Sequence, residues 1–253
     1  MKNLLCFCLL VLTLSCQKTP SDSVDPQQDT VKDEYPDWYT LKAPVDKAIQ
    51  GVWGDRDKTV LITTGYAVFR SIDKGKHWQS VLQSSINLFG LVQNQDTLFT
   101  MSSLLNQSSG ATYQQLIVQA NHYSLDDGQT WQSYKGRNPV LADIPTYGAV
   151  DNRLRINPII SPSGVVYTIN RVFVNGSATS GTFETPGIVR SDGRRIDLPQ
   201  LHQLQSLYLD AQQRLYVAGS DAVCERGHSG ERFSFCNSKQ GRGVVYISKR
   251  PLP

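Results

Sequence analysis

The sequence predicts an all-β fold, a small β-propeller of about four blades whose ring closes by pairing the N-terminal strand with the C-terminal one. Three observations predict it. An eight-residue turn segment occurs twice in nearly the same form. Its serines recur, with weaker copies, as Ser71, Ser124, Ser191 and Ser248, at steps of 53, 67 and 57 residues. A tryptophan-led segment near the N-terminus repeats the segment that follows each turn. Periods of this length, filled by several short strands, are the signature of propeller blades.

The two full copies are Ser71-Ile72-Asp73-Lys74-Gly75-Lys76-His77-Trp78 and Ser124-Leu125-Asp126-Asp127-Gly128-Gln129-Thr130-Trp131. Both fit S-x-D-x-G-x-[TH]-W. An Asp carboxylate there accepts backbone N–H groups of the turn, as in Asx-turns. Gly75 and Gly128 supply a positive φ that other residues resist. Trp78 and Trp131 pack their rings into the blade. Calcium binding by Asp73, Asp126 and Asp127 is the competing reading, but each segment lacks the further acidic ligands of a calcium loop. The weaker copies are Val189-Arg190-Ser191-Asp192-Gly193 and Val245-Tyr246-Ile247-Ser248.

Strands are expected as follows. Blade one holds residues 49–54, 59–64, 67–72 and 78–82. Blade two holds 88–93, 97–102, 115–124 and 131–134. Blade three holds 156–161, 165–173, 188–191 and 195–198. Blade four holds 205–210, 214–219 and 243–248. Alternation such as Leu215 and Val217 against Tyr216 and Ala218 supports the assignment. Blade four lacks an outer strand. Asp37-Trp38-Tyr39-Thr40-Leu41 reads like His77-Trp78-Gln79-Ser80-Val81, so the N-terminal segment is expected to fill the gap and remove both open edges. A fifth blade would need a hairpin hidden in residues 140–154.

The turn segment resembles the Asp-box of sialidase-type (BNR) repeat proteins, across most of the chain. The resemblance implies a structural role for Ser71, Asp73, Gly75, Trp78, Ser124, Asp126, Gly128, Thr130 and Trp131. It transfers no catalytic residue. Family sialidases carry a Phe/Tyr-Arg-Ile-Pro motif, which is absent here. Arg155-Ile156-Asn157-Pro158 is a poor echo of it. Asp-box propellers similar to the photosystem II stability factor and to sortilin-like receptors bind proteins, which implies a non-catalytic binding or scaffold module. A glycoside hydrolase with two converging acids is the alternative.

The N-terminus addresses the chain. Lys2 is followed by an apolar run from Leu4 to Leu14 and then Ser15-Cys16, which resembles a bacterial lipoprotein signal with lipidation at Cys16. The sequence divides into a signal (1–16), a flexible tether (17–34) and a propeller domain (35–253). The tether is rich in Ser, Pro, Asp and Gln and cannot bury enough surface to fold. Gln17 stands where an Asp would signal inner-membrane retention, so an outer-membrane address is expected, the membrane being met through the lipid only. The net charge of +3 comes from scattered Lys and Arg, with no basic stripe for nucleic acid. No metal or other cofactor is expected. Cys224 and Cys236 are expected to form a disulfide in an oxidising compartment. A metal site is the competing reading, without Cys-x-x-Cys spacing or clustered His to support it.

Function is expected where long connections gather. Residues 103–114, 175–187, 220–242 and 135–155 should rise on one face, opposite short turns at 55–57, 94–96, 162–164 and 211–213. Tyr147, Arg153, Arg155, Arg226 and Phe233 are the candidate binding residues there, with Asp151, Glu184, Glu225, His228, Glu231 and Arg232 nearby. A protein or a glycan is the expected partner. His77 and His122 are read as packing residues. Replacing Cys16 with serine is expected to move the protein from the membrane to the soluble fraction. Continued membrane association, with no lipid on the N-terminal peptide by mass spectrometry, would refute the anchor.

Overall fold

The computed structural model describes residues 31–109, 112–136, 152–173, 183–220 and 242–252. Cys16, Tyr147, Cys224, Arg226, Phe233 and Cys236 lie outside the described residues, as do Asp151, Glu225, His228, Glu231 and Arg232.

Four antiparallel sheets form the four blades. Blade one is β2 (Gly51–Gly54), β3 (Val60–Thr63), β4 (Gly65–Ser71) and β5 (Gln79–Leu88). Blade two is β6 (Gly90–Asn94), β7 (Thr97–Ser109), β8 (Thr112–Ser124) and β9 (Gln132–Ser133), with β10 (Arg155–Asn157) on the upper edge of β8. Blade three is β11 (Ile159–Ile160), β12 (Val166–Phe173), β13 (Phe183–Arg190) and β14 (Arg195–Asp197). Blade four is β15 (Leu204–Leu209), β16 (Leu215–Ser220), β17 (Gly243–Ser248) and β1 (Trp38–Lys42). The ring is therefore a four-bladed propeller closed by β1 on β17, with Trp38 opposite Ser248 and Lys42 opposite Val244.

The alternation along each strand has a direct structural use. A blade is covered on both faces, so odd and even residues enter different seams. In β16, Leu215 and Val217 join the seam between blades three and four, while Tyr216 and Ala218 join the seam between blades four and one. In β17, Val244 and Tyr246 divide from Val245 and Ile247 in the same way. All six residues of β17 are buried. Two further apolar clusters fill the seam between blades one and two and the seam between blade two and the β10 segment. The core is thus four apolar layers, three of them between blades. Each residue moved from water into a seam contributes roughly 25 cal/mol per Å² of apolar area.

The repeated turns join strand three to strand four of blades one and two. Ser71 Oγ donates to Asp73 Oδ1 at 2.8 Å, and Gly75 N donates to Ser71 Oγ at 3.0 Å. Ser124 and Asp126 repeat this at 2.8 Å, with Gly128 N on Ser124 Oγ at 2.9 Å. Thr130 donates to Asp126 through both its backbone N (2.9 Å) and its hydroxyl (2.6 Å). His77 does the same to Asp73, through its backbone N at 3.0 Å and ring Nδ1 at 2.6 Å. His77 is therefore not a packing residue, for its side chain is 89% exposed. It stands in for Thr by offering a donor of the same reach. Hydrogen bonds from Thr130 and Ser124 hold the Asp126 carboxyl at about 2, and those from His77 lower Asp73 in the same direction.

Gly75 and Gly128 sit at φ of 79° and 75°, each after a residue that is also left-handed. A Cβ would also meet Leu41 at Gly75 and Leu61 at Gly128, at 2.5 and 2.4 Å. A leucine tip can shift, so the backbone angle is the larger obstacle. The contacts show what these turns do: each rests on a leucine of the preceding blade.

Three expectations are corrected. Residues 103–114 are not a long loop, since β7 and β8 continue as one hairpin with Leu105 opposite Leu116 and Asn106 opposite Gln115. Ser, Asn and Gln disguise these strands by propensity, and cross-strand pairing overrides it. Ile156 is not in the inner strand of blade three. Pro158 has no N–H for a ladder, and the chain divides there into β10, on blade two, and β11, in blade three. Finally, the tether does not extend to residue 34. Val31 is 3% exposed and packs in the same seam as Trp38. Lys32 and Asp33 carbonyls accept from Thr40, and Glu34 pairs with Lys249. One valine among polar residues cannot nucleate a core, but it can join a seam that already exists.

Deleting residues 17–30 is expected to leave thermal stability near wild type. Extending the deletion through Lys42 should strip β17 of its partner and cause unfolding or aggregation. Equal melting temperatures for the two deletions would refute closure by β1.

Candidate functional site

The inner strands β2, β6, β11 and β15 surround a central cavity of about 340 Å³. Gly51 and Gly90 let β2 and β6 approach closely, since a Cβ on Gly51 would lie 2.6 Å from the Gly90 Cα. The wall combines Val52, Trp53, Leu91 and Leu209 with Gln93, Ser206, Arg153 and Arg155. No Asp or Glu lines it among the described residues.

At the short-turn end the charges are consumed. Arg214, whose side chain is 6% exposed, donates Nε to Asp210 at 2.7 Å, one terminal nitrogen to Asp55 at 2.6 Å and the other to Asp57 at 2.5 Å. Tyr216 donates to Asp210 at 3.0 Å and accepts from Arg56 N at 3.0 Å. Gln212 adds a bond to Asp55. These residues join the first turns of blades four and one. Burial drives the Tyr216 hydroxyl well above its ordinary value and Tyr208 up to about 12. Arg214 holds Asp57 below the usual carboxylate range. The cluster is not legible in the sequence because Arg214 lies about 160 residues from Asp55 and Asp57.

Arg153 belongs to this end. It sits within a 3-10 turn at Asn152–Leu154 and donates to Asn94 Oδ1 at 2.7 Å, at the end of β6 where the short turn to β7 begins. Its expected place on the long-loop face is corrected: Leu154, fully buried against Val92 and Ile117, pins the segment beside blade two and directs its neighbour toward the short turns. Arg155 does line the cavity. Its Nε is buried without a hydrogen-bond partner among the described residues.

The other end is built by the two projecting hairpins, β7–β8 and β12–β13. Asn157 joins them, accepting from Ile169 N at 2.8 Å and donating to the Tyr113 carbonyl at 3.5 Å. Above it, the Arg171 guanidinium lies 3.3 Å from the Tyr113 ring centre and 4.4 Å from that of Phe183. Phe173 packs edge-on against Phe183 at 5.7 Å, and the Tyr113 hydroxyl donates to Asn106 at 2.7 Å. Glu184 lies opposite Val172 in the hairpin and has a partner of its own. Arg171, Tyr113 and Phe183 were not among the residues nominated from sequence. The available signal was Arg171-Val172-Phe173 running on from a strand.

A second cavity, of about 800 Å³, lies beside the turn of blade one, lined by Lys42, Arg56, Lys74, Lys76, Trp78 and Arg242. Its charges are largely answered: Asp33 pairs with Lys42, and Asp57 with Arg56 and Lys74. Among the described residues, no three His, Cys, Asp or Glu side chains gather as a metal site, and no helix is long and apolar enough to cross a membrane.

No protein-family model matches the chain, and no curated protein matches it in sequence. Solved structures similar to it include YCF48 bound to D1 peptide, at 13% identity and a TM-score of 0.27, over 82% of this chain and 72% of that one. The WD40 beta propeller domain of Doa1 aligns at 10% identity and a TM-score of 0.35, over 83% and 96%. YCF48 from Cyanidioschyzon merolae aligns at 9% identity and 0.26, over 79% and 74%. No residue role is carried over at these values, and the four-bladed architecture rests on the strand pairing itself.

Removing one partner of a buried ion network strands the others. Arg214→Met is expected to lose about 3 kcal/mol in chemical denaturation. The pH dependence should change with it. A carboxyl whose folded pKa is lowered stabilises above its unfolded value near 4 and loses that contribution as pH falls below it. The wild type should therefore lose more stability than Arg214→Met between pH 5 and pH 3. An equal loss in both would show that Arg214 does not set the Asp57 ionisation.

Proposed function

We propose that this chain is a non-catalytic binding module of the bacterial cell envelope. It is an Asp-box propeller held by lipid on Cys16 to the outer membrane, and it takes a protein partner on the end of the channel where the long connections gather. One observation carries this reading: the division of charge between the two ends of the channel. The carboxylates at the short-turn end are bound to Arg214, whereas Arg155 and Arg171 at the other end have no carboxylate partner among the described residues. General acid–base chemistry needs a carboxyl free to exchange a proton in reach of substrate. Recognition needs what is present: cations and aromatic rings held by a rigid scaffold.

The segment between Cys224 and Cys236 lies between β16 and β17 in the chain order. A bond between the two cysteines, also proposed, would limit its conformations and lower the ordering cost on binding. A closed ring needs little from such a bond for its own stability.

The test captures partners by photocross-linking with the full-length protein in native envelopes, beside a glycan array probed with the same preparation. A protein partner should be captured. Capture should weaken in the Cys224→Ser/Cys236→Ser double variant, in Arg226→Ala and in Phe233→Ala, with melting temperature nearly unchanged. Lys58→Ala, on the opposite face, should capture as wild type. Glycan binding without protein capture would replace the partner class. A double variant that melts much earlier and captures normally would mean that the disulfide is only a staple.

A further inference from the structure

We propose that Arg171 is the anchor for a carboxylate on a bound peptide. The inference rests on the reading of the long-connection end as the binding face, and it names the chemistry that this face recognises.

The arrangement around Arg171 is specific. Tyr113, from the blade-two hairpin, and Phe183, from the blade-three hairpin, both lie within cation–π reach of its guanidinium. Both rings are themselves fixed, Tyr113 by Asn106 and Phe183 by Phe173. Arg171 is half-buried, and its Nε is buried with no hydrogen-bond partner among the described residues. No ion pair from a described residue reaches it. The Nε–H in that state has given up water without regaining an acceptor, a cost that proteins ordinarily offset by pairing.

Stacking explains part of its stability and also what remains open. Aromatic contact uses the flat faces of the guanidinium and leaves the N–H donors in its plane. Those donors form a fork that matches a carboxylate with two parallel bonds. A lysine at 171 would offer a point charge and no such plane. Arg155, on β10 at the same end, lines the cavity and is a second cation with a buried Nε.

The neighbouring backbone favours a peptide as the bearer of that anion. β6 pairs with β7 only from Thr97 to Met101, which leaves residues 102–109 with β8 as their one strand partner. β11 pairs with β12 only at Val166 and Tyr167, and from Asn170 onward β12 has β13 alone. Two strand edges therefore stand open among the described residues on the hairpins that form the clamp. An extended peptide satisfies such an edge with its own backbone groups, and a sugar chain cannot. Exposed Leu105 and Val172 on these hairpins offer apolar contact for its side chains.

The experiment uses the full-length protein in detergent and pooled synthetic decapeptides, read by fluorescence anisotropy. One pool carries Asp or Glu at two positions, a second replaces these with Asn or Gln, and each is made with a free or an amidated C-terminus. The peptides bearing a carboxylate should bind. Arg171→Met should weaken that binding by roughly 10- to 100-fold, the equivalent of a lost charge-assisted pair. Arg171→Lys should recover only a minor part. Tyr113→Phe, which keeps the ring and loses its tie to Asn106, should weaken binding more mildly and serves if Arg171→Met does not fold. Preference for free over amidated C-termini places the carboxylate at the peptide end, and indifference places it on a side chain. Equal binding of acidic and amide pools, or binding unaffected by both Arg171 substitutions, would overturn the anchor while leaving a binding face. A binder found only among glycans would overturn the peptide assignment. Binding to neither peptides nor glycans would overturn the face itself.

Discussion

The pairing of β1 with β17 is the constraint on which the rest of the structure depends. A propeller cannot be left as an open arc, because each blade is covered on both faces and the end blades would each expose one. Here the last blade is completed by the first strand, so every backbone contact between β1 and β17 joins the two ends of the chain. The consequences spread outward from that ladder. Trp38 enters the seam between blades three and four, and Leu41 enters the seam between blades four and one. Leu41 is also the surface on which the turn of blade one rests. At the channel end of the same seam, Arg214 ties the first turn of blade four to that of blade one. Closure is therefore fastened twice, by a ladder at the outer rim and by an ion network near the axis.

The repeated turns turn local geometry into long-range order. Each carboxylate is committed to its own turn by hydrogen bonds, which lower its pKa. The turn thereby becomes a rigid knob that can seat on a leucine of the blade before it. Blade three keeps only a fragment of this device. Gly193 still takes a left-handed φ of 83°, and Asp192 still accepts from Arg194 N. In blade four the corresponding turn cannot exist, since the third and fourth strands come from opposite ends of the chain. There Ser248, the counterpart of Ser71 and Ser124, accepts from Leu215 N instead.

What was legible in the sequence was local or periodic. The S-x-D-x-G turns could be read because their backbone angles demand particular residues within eight positions. The seams could be read because an alternation such as Leu215, Tyr216, Val217 and Ala218 has one structural meaning when both faces are buried. The likeness of the Trp38 segment to the segments after the turns was enough to place the closing strand. Features that need distant partners were hidden. Asp55, Asp57 and Asp210 look like ordinary turn acids until Arg214 collects them. Val31 looks like part of a tether until the seam it enters is known. The polar hairpin from Ser102 onward looks like a loop, because Ser, Asn and Gln have no strong preference for strands. Of the nominated binding residues, Arg155 lines the channel and Arg153 turns toward the other end. Arg171 was missed because nothing in its own neighbourhood of sequence announces Tyr113, nearly sixty positions earlier.

The two ends of the channel solve opposite electrostatic problems, and this division makes a binding role coherent. A buried ion network stabilises only when every member is matched, since the desolvation of each charge must be offset by its partners. At the short-turn end Arg214 meets three carboxylates with its full fork, and Tyr216 and Gln212 complete the set. Such a cluster is rigid and has no capacity left for a ligand. The other end keeps cations whose acceptors the described chain does not supply. That costs stability, and a closed ring with four apolar seams can carry the cost because its order does not depend on those residues. Aromatic rings on two separate hairpins lie against the Arg171 guanidinium, so an incoming acceptor need not order the side chain first. Preorganisation of this kind places the entropic cost of recognition in folding rather than in binding. The fold thus spends its matched charges on closing the ring and leaves its unmatched ones where a partner can reach them.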